Sequence, residues 1–145
     1  MPDRTTRPPV LIADDNELIC QILADALADR YTPHTVYNGI SALEHIVNWH
    51  ETDESVACLI IDVMMPGMDG LELLRKLGDM GISLPVIVIS GHCKAGQIDR
   101  MEQYGVIEFI DKPIRARTIR EAVPRAITNW TQRQAVRSRP QPDDD

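Results

Sequence analysis

The chain has 145 residues, of which 43% are hydrophobic and 26% charged, and its formal net charge is −7. This composition is typical of one globular domain with its own core, and the acidic balance argues against direct binding to nucleic acid, which requires a basic face. No apolar run approaches the roughly 20 residues of a membrane span, and the first residues lack the apolar segment of a signal peptide. Three cysteines without metal-ligand or disulfide spacing favour a reducing compartment, so we expect a cytoplasmic protein without a membrane partner.

Strand and helix signals alternate five times along the chain. Short apolar runs predict strands near residues 9–13, 33–37, 57–62, 84–90 and 106–110. Apolar residues at helical spacing predict helices over 16–29, 41–50, 70–79 and 95–104, and a last helix after Pro113. Repeated strand–helix units predict an α/β fold in which a doubly wound, five-stranded parallel sheet carries five flanking helices.

Local signals predict where several of these elements begin and end. Ser41 is the expected cap of the second helix, and Asp69-Gly70 reads as a turn and cap before the third. Pro124 interrupts the last helix and is expected to kink or end it. The folded domain is therefore predicted over residues 9–130, between a flexible N-terminus at 1–8 and a disordered tail at 131–145.

Carboxylates follow two of the predicted strands at the point where each strand ends. Asp14 and Asp15 come directly after the first strand, and Asp62 closes the near-continuous apolar run of the third. Ligand crevices of open α/β sheets lie at the carboxyl ends of the strands, so the three acids converge if these strands are neighbours. Three carboxylates in one crevice repel one another, and Mg²⁺, which prefers hard oxygen ligands, would neutralise them.

Two further polar residues are predicted to face the same crevice. Ser90 ends the fourth strand, and Lys112 follows the fifth. A hydroxyl and an ammonium opposite the acids would hold the oxygens of an anion such as phosphate. Because a carboxylate can attack a phosphoryl donor to form an acyl phosphate, Asp62 is a candidate nucleophile, with the metal and Lys112 stabilising the transferred charge.

These motifs resemble a response-regulator receiver domain of two-component signalling, over about residues 9–130. The matching stretches are Asp14-Asp15, Ile60-Ile61-Asp62-Val63-Met64-Met65-Pro66-Gly67-Met68-Asp69-Gly70, Ser90-Gly91 after an apolar strand, and Phe109 to Pro113. The resemblance implies the CheY-like, flavodoxin-like fold with strand order 2-1-3-4-5. It also implies a phosphoprotein that switches protein–protein contacts and catalyses only its own phosphorylation and dephosphorylation.

The resemblance assigns the phosphoacceptor and the metal ligands. Asp62 would accept a phosphoryl group from the phosphohistidine of a histidine kinase or phosphotransfer protein. Asp15 and Asp62 would bind Mg²⁺ directly, Asp14 through water, and the backbone carbonyl of Met64 would complete the protein ligands.

The resemblance also implies a switch and a control of phosphoform lifetime. Lys112 would contact the phosphoryl oxygens, Ser90 would move to bond the phosphorylated form, and Phe109 would turn inward as Ser90 moves. Met64 and His92 occupy the positions beside the site that tune hydrolysis, and an apolar Met64 is expected to hinder attacking water. The segment from Gly91 to Gly96 resembles the FixJ-like branch of regulators.

Other readings of the same residues remain open. Asp14 and Asp15 could simply cap the first helix, and Lys112 could be a surface lysine. A Mg²⁺-dependent phosphohydrolase with an aspartyl nucleophile would place a second acid two residues beyond it, where this chain has Met64. A phosphorylation-independent interaction module with the same fold is the third reading.

The sequence gives no recognisable output domain. We therefore expect either a stand-alone receiver or the receiver portion of a longer regulator, acting on a downstream protein partner. If it forms a homodimer, the resemblance places the interface on the face of the fourth and fifth helices.

Overall fold

The computed structural model describes residues 7–52, 56–91 and 95–138. Five parallel strands form one sheet, and their bounds are β1 Pro9–Ala13, β2 Thr32–Val36, β3 Cys58–Asp62, β4 Val86–Ser90 and β5 Val106–Asp111. Five helices alternate with them: α1 Glu17–Leu27, α2 Gly39–Glu51, α3 Gly70–Asp79, α4 Ala95–Glu102 and α5 Ala116–Ser138. The strand order is β2-β1-β3-β4-β5, which confirms the predicted fold class and topology.

Apolar side chains cover both faces of the sheet. Every residue of β3 and of β4 is buried, as expected for strands that read as continuous apolar runs. Helices α2, α3 and α4 pack on one face around Leu11, Leu59 and Val88. Helices α1 and α5 pack on the other face around Ile12 and Ile60. Because all strands are parallel, their carboxyl ends meet along one edge.

Side-chain caps fix the starts of three helices at this edge. Asn16 Oδ1 accepts from the backbone N–H groups of Leu18 and Ile19 before α1, and Asp69 caps α3 as predicted. The predicted cap Ser41 is wrong. Asn38 caps α2 instead, and Ser41 donates its backbone N–H to Asn38 Oδ1 at 2.8 Å, because the helix begins as soon as the Asn38-Gly39 turn is complete.

Helix α5 is longer than the sequence indicated. It passes through Pro124 and continues to Ser138, so Pro124 does not end it and residues 131–138 are helical rather than part of a disordered tail. Burial of Val123 and Ala126 against the sheet compensates for the backbone hydrogen bond that proline cannot make. Beyond them, Trp130 Nε1 donates to Ser83 Oγ at 3.3 Å. Residues 1–6 and 139–145 lie outside the described residues.

Crossing a bilayer requires a helix of about 20 mostly apolar residues. Among the described residues, no helix is both long enough and apolar enough to cross a membrane.

Candidate functional site

Three carboxylates converge at the carboxyl edge of the sheet. Strands β1 and β3 are neighbours, with Ala13 opposite Ile61, so Asp14 and Asp15 leave β1 beside Asp62 at the end of β3. One carboxylate oxygen from each residue lies within 4.8 Å of the others. Asp14 is fully buried and Asp62 is 5% exposed, whereas Asp15 faces solvent. The sequence-predicted convergence is therefore present.

Lys112 brings a cation into this acidic cluster. It follows β5, and its backbone N–H donates to the Ser90 carbonyl at 2.9 Å, which ties the ends of β4 and β5 together. Lys112 Nζ lies 2.9 Å from Asp62 Oδ2 and 3.1 Å from Asp14 Oδ2. Its side chain is only 23% exposed, so Lys112 is part of the site and not an ordinary surface lysine.

The buried charges perturb one another. Burial raises the pKa of Asp14, and the neighbouring Asp62 carboxylate adds to this, although the Asn16 backbone N–H and Lys112 oppose it. Burial alone would lower the pKa of Lys112, but its close contacts with the carboxylates of Asp62 and Asp14 outweigh burial and leave the pKa raised. The ammonium is thus held charged, while the negative charge on Asp14 is costly.

Backbone N–H groups orient two of the carboxylates. Asn16 donates its backbone N–H to Asp14 Oδ1 at 2.8 Å, and Met64 donates its own to Asp62 Oδ1 at 3.2 Å. These bonds leave the second oxygen of each carboxylate directed at Lys112. Asp14 Oδ2 is buried and makes no well-aligned hydrogen bond among the described residues, although Lys112 Nζ is near enough for an ion pair.

These donors fit a hard divalent cation. Three carboxylates, one of them with a buried oxygen that lacks a hydrogen bond, form an oxygen-rich site with an excess of negative charge over the single ammonium. Mg²⁺ takes a few carboxylates and keeps several waters. Asp15 is the exposed carboxylate of the three, so the cluster is open to solvent on the side of Asp15.

The predicted switch residues lie on one face of the sheet. Ser90 ends β4 and is 4% exposed, and Phe109 is partly buried against the core under α2, α3 and α4. Val88, two residues before Ser90, is the partner of Phe109 in the parallel register. Since side chains alternate along a strand, Ser90, Val88 and Phe109 share this face. The Lys112–Pro113 bond is cis, and His92 lies outside the described residues.

Asn16 and Gly70 also support this site, although neither was among the predicted site residues. Asn16 both caps α1 and fixes Asp14 through its backbone N–H. Its place after two acids and before an apolar helix was a detectable capping signal. Gly70 also contributes: a Cβ there would lie 2.9 Å from the Asp62 carbonyl oxygen, a contact that sequence does not reveal.

Comparison with known proteins agrees with the geometry. The family model of the response regulator receiver domain matches residues 10–124. The chain belongs to this family. It is therefore a receiver domain of two-component systems, as the acidic cluster, Ser90 and Lys112 indicated.

Several curated regulators and solved structures are similar to this receiver. The response regulator protein TmoT of Ectopseudomonas mendocina is 40% identical over 118 residues, which is 81% of this chain and 52% of TmoT. The transcriptional regulatory protein FixJ of Rhizobium meliloti is 44% identical over 68 residues, covering 47% of this chain and 33% of FixJ. The crystal structure of FixJ-N has a TM-score of 0.71 at 32% identity, covering 88% of this chain and 96% of that chain.

The receiver domain from the LuxO repressor protein of Vibrio parahaemolyticus shows the fold alone. It is 22% identical, with a TM-score of 0.76 over 92% of this chain and 99% of that chain. This chain spans about half or less of the length of the curated relatives TmoT and FixJ.

Proposed function

We propose that this receiver accepts a phosphoryl group on Asp62 from the phosphohistidine of a histidine kinase or phosphotransfer protein. The observation that carries the proposal is that Asp62 lies beside charges of both signs. Lys112 Nζ is 2.9 Å from its Oδ2, and carboxylate oxygens of Asp14 and Asp15 lie within 4.8 Å. A carboxylate in this position can act as a nucleophile while the charged groups around it stabilise the incoming phosphoryl group.

Mg²⁺ is the cofactor that we propose for the acidic cluster. Asp15 and Asp62 would bind the ion directly, Asp14 through water, and the Met64 carbonyl would complete the protein ligands. When bound, the ion supplies charge neutralisation at the phosphoryl oxygens. The surplus of carboxylate charge and the buried Asp14 oxygen without a hydrogen bond support this assignment.

The transfer step follows from the groups present. A carboxylate oxygen of Asp62 forms a bond to phosphorus as the phosphorus–nitrogen bond of the phosphohistidine breaks. The departing imidazole nitrogen keeps the electron pair of that bond, and a proton from solvent leaves the imidazole neutral. The charged ammonium of Lys112, which is hydrogen-bonded to Asp62, can exchange this bond for one to a phosphoryl oxygen. It would then stabilise the negative charge that develops on the phosphoryl oxygens.

Ser90 and Phe109 connect the phosphoryl group to a distant surface in this proposal. The Ser90 hydroxyl would bond a phosphoryl oxygen, and Phe109, on the same face of the sheet, would move inward. The altered surface of α4, β5 and α5 would then contact a downstream protein partner or a second copy of the chain. Bistable packing of this kind converts a local charge into a change of contacts.

Intact-mass spectrometry with Mg²⁺ and acetyl phosphate tests the proposal. We expect one labile phosphoryl adduct on the natural chain, abolished by a chelator and by Asp62→Ala. Asp69→Ala is the matched control and should still be labelled. Asp69 lies in the same loop, but it caps α3, and its side chain accepts from the Glu72 N–H and does not contact Asp62.

Two other outcomes would replace the proposal. A folded protein that binds Mg²⁺ but acquires no adduct would indicate a phosphorylation-independent interaction module. Sustained phosphate release from varied phosphoesters would indicate a hydrolase. The site offers no support for the hydrolase, because Met64, at the position where such an enzyme has its second acid, is an apolar side chain that is 69% exposed.

A further inference from the structure

The loop that follows Asp62 is held in place by two glycines. This loop, residues 63–69, carries both the Met64 N–H that orients Asp62 and the Met64 carbonyl proposed as a metal ligand. At its far end, Gly70 donates its N–H to the Val63 carbonyl at 2.9 Å. A Cβ on Gly70 would lie 2.9 Å from the Asp62 carbonyl oxygen and 3.2 Å from Val63 Cα, so α3 starts directly against the end of β3.

The second glycine belongs to a different helix. Gly39 is the first residue of α2 and is buried. A Cβ built on it would overlap the Met68 carbonyl oxygen and would lie 2.9 Å from Met68 Cβ and 3.0 Å from the Met68 carbonyl carbon. Two of these three atoms are backbone, so a change of side-chain rotamer cannot relieve the overlap. The first turn of α2 therefore rests on the backbone of the loop.

Two features make this contact rigid from both sides. On the α2 side, Asn38 fixes the first turn by accepting the Ser41 N–H. On the loop side, Met68 is 8% exposed in the core, and its N–H donates to the Pro66 carbonyl at 3.0 Å. Neither partner can withdraw without losing a cap or core packing.

We propose that Gly39 is a positioning residue of the phosphorylation site, acting through the Met68 backbone on the loop that bears Met64. The inference rests on the proposed function, because it assigns to Gly39 the placing of a metal ligand. Because Gly39 has no side chain, α2 packs directly on the loop and fixes the position of the loop relative to Asp62. A Cβ at this position pushes the loop away from α2 and moves the Met64 N–H and carbonyl relative to Asp62.

Gly39→Ala tests this inference when its Mg²⁺ affinity and its stability are measured separately. Because displacements near 1 Å can change the function of a preorganised site by about 100-fold, we expect Gly39→Ala to weaken Mg²⁺ binding at least about tenfold by calorimetric titration. Labelling by acetyl phosphate at subsaturating Mg²⁺ should slow in parallel. Ile46→Val, a core change in the same helix, is the control for lost stability and should leave Mg²⁺ affinity unchanged.

A second pair of variants covers the case in which Gly39→Ala does not fold. Asn38→Ala removes the cap of the first turn of α2, and Thr52→Ala removes the hydroxyl bonds to Asn48 and Trp49 at its other end. We expect Asn38→Ala, and not Thr52→Ala, to weaken Mg²⁺ binding and to speed amide hydrogen exchange at Met64.

The outcomes separate this inference from the proposed function. Variants at Gly39 or Asn38 that lose stability but bind Mg²⁺ as tightly as the natural chain would overturn the positioning role while leaving the receiver chemistry intact. A natural chain that neither binds Mg²⁺ nor acquires a phosphoryl group would overturn the proposed function, and the positioning role with it.

Discussion

Asp15→Asn should make the metal-free protein more stable, although it removes a residue proposed to bind Mg²⁺. Asp15 is solvent-exposed and has no ion pair among the described residues, yet its carboxylate lies within 4.8 Å of those of Asp14 and Asp62. Lys112 contacts the other two acids. The substitution therefore removes repulsion without breaking a hydrogen bond or an ion pair within the part of the chain that the structure describes.

The distances set the size of the effect. Two unit charges at the upper limit of 4.8 Å repel by about 3.5 kcal/mol at an effective dielectric constant of 20 and by about 0.9 kcal/mol in bulk water. Because Asp15 is exposed and its charge is screened by solvent, its repulsion by each of the two neighbouring carboxylates is near the lower of these two energies. We expect a gain of about 1 to 2 kcal/mol in the free energy of unfolding in chelator, decreasing as salt is added.

Mg²⁺ should close most of the difference in stability between the two proteins. At a Mg²⁺ concentration ten times its dissociation constant, binding adds about 1.4 kcal/mol to the stability of the natural chain. Asp15→Asn should lose most of this gain because one direct ligand is weakened. The assay is urea unfolding monitored by circular dichroism, with chelator and with Mg²⁺.

Glu44→Gln is the control for loss of an acidic charge far from the cluster. Glu44 is an exposed residue of α2, so the variant should keep the full Mg²⁺ response. Two results would refute the reasoning: an Asp15→Asn protein less stable than the natural chain in chelator, or one that gains as much stability from Mg²⁺.

Three further predictions address the loop, the cap of α3 and the core. Met64→Asn should shorten the half-life of the phosphoform, because an exposed apolar side chain beside Asp62 is replaced by one that can orient water. An unchanged half-life, measured by mass spectrometry, would refute this prediction. Asp69→Ala should lower the free energy of unfolding by about 1 kcal/mol through loss of the 2.9 Å bond from the Glu72 N–H, and Asp69→Asn should restore it. Burial raises the pKa of the Cys58 thiol, so Cys58 should resist a thiol reagent at pH 8 until urea unfolds the protein. Labelling of Cys58 in the native state would contradict the burial of this side chain.

The main elements of the site could be predicted from sequence because strand ends in a parallel sheet share one edge. Asp62 and Lys112 are separated by 50 residues, yet each follows an apolar run, and this alone places them at the same edge. Their exact pairing at 2.9 Å depends on the neighbouring order of β3, β4 and β5. That order was implied only by resemblance to a family, since the apolar runs do not specify which strands are adjacent.

Local signals failed where tertiary packing decided the result. Pro124 is a strong helix breaker in isolation, but Val123 and Ala126 are buried on either side of it, and the packing of α5 against the sheet outweighs the missing hydrogen bond. Ser41 and Asn38 are both acceptable caps. The choice of Asn38 follows from where β2 ends and from how closely α2 approaches the loop after Asp62.

The contact at Gly39 shows most clearly what sequence cannot supply. Asn38-Gly39 reads as a turn, and a turn glycine is normally explained by its own backbone conformation. Gly39 instead begins a helix, and its missing Cβ is required by the Met68 carbonyl oxygen, 29 residues further along the chain. The requirement exists only after α2 and the loop have met. A glycine that looks local in sequence can therefore set the geometry of a site to which it contributes no side chain.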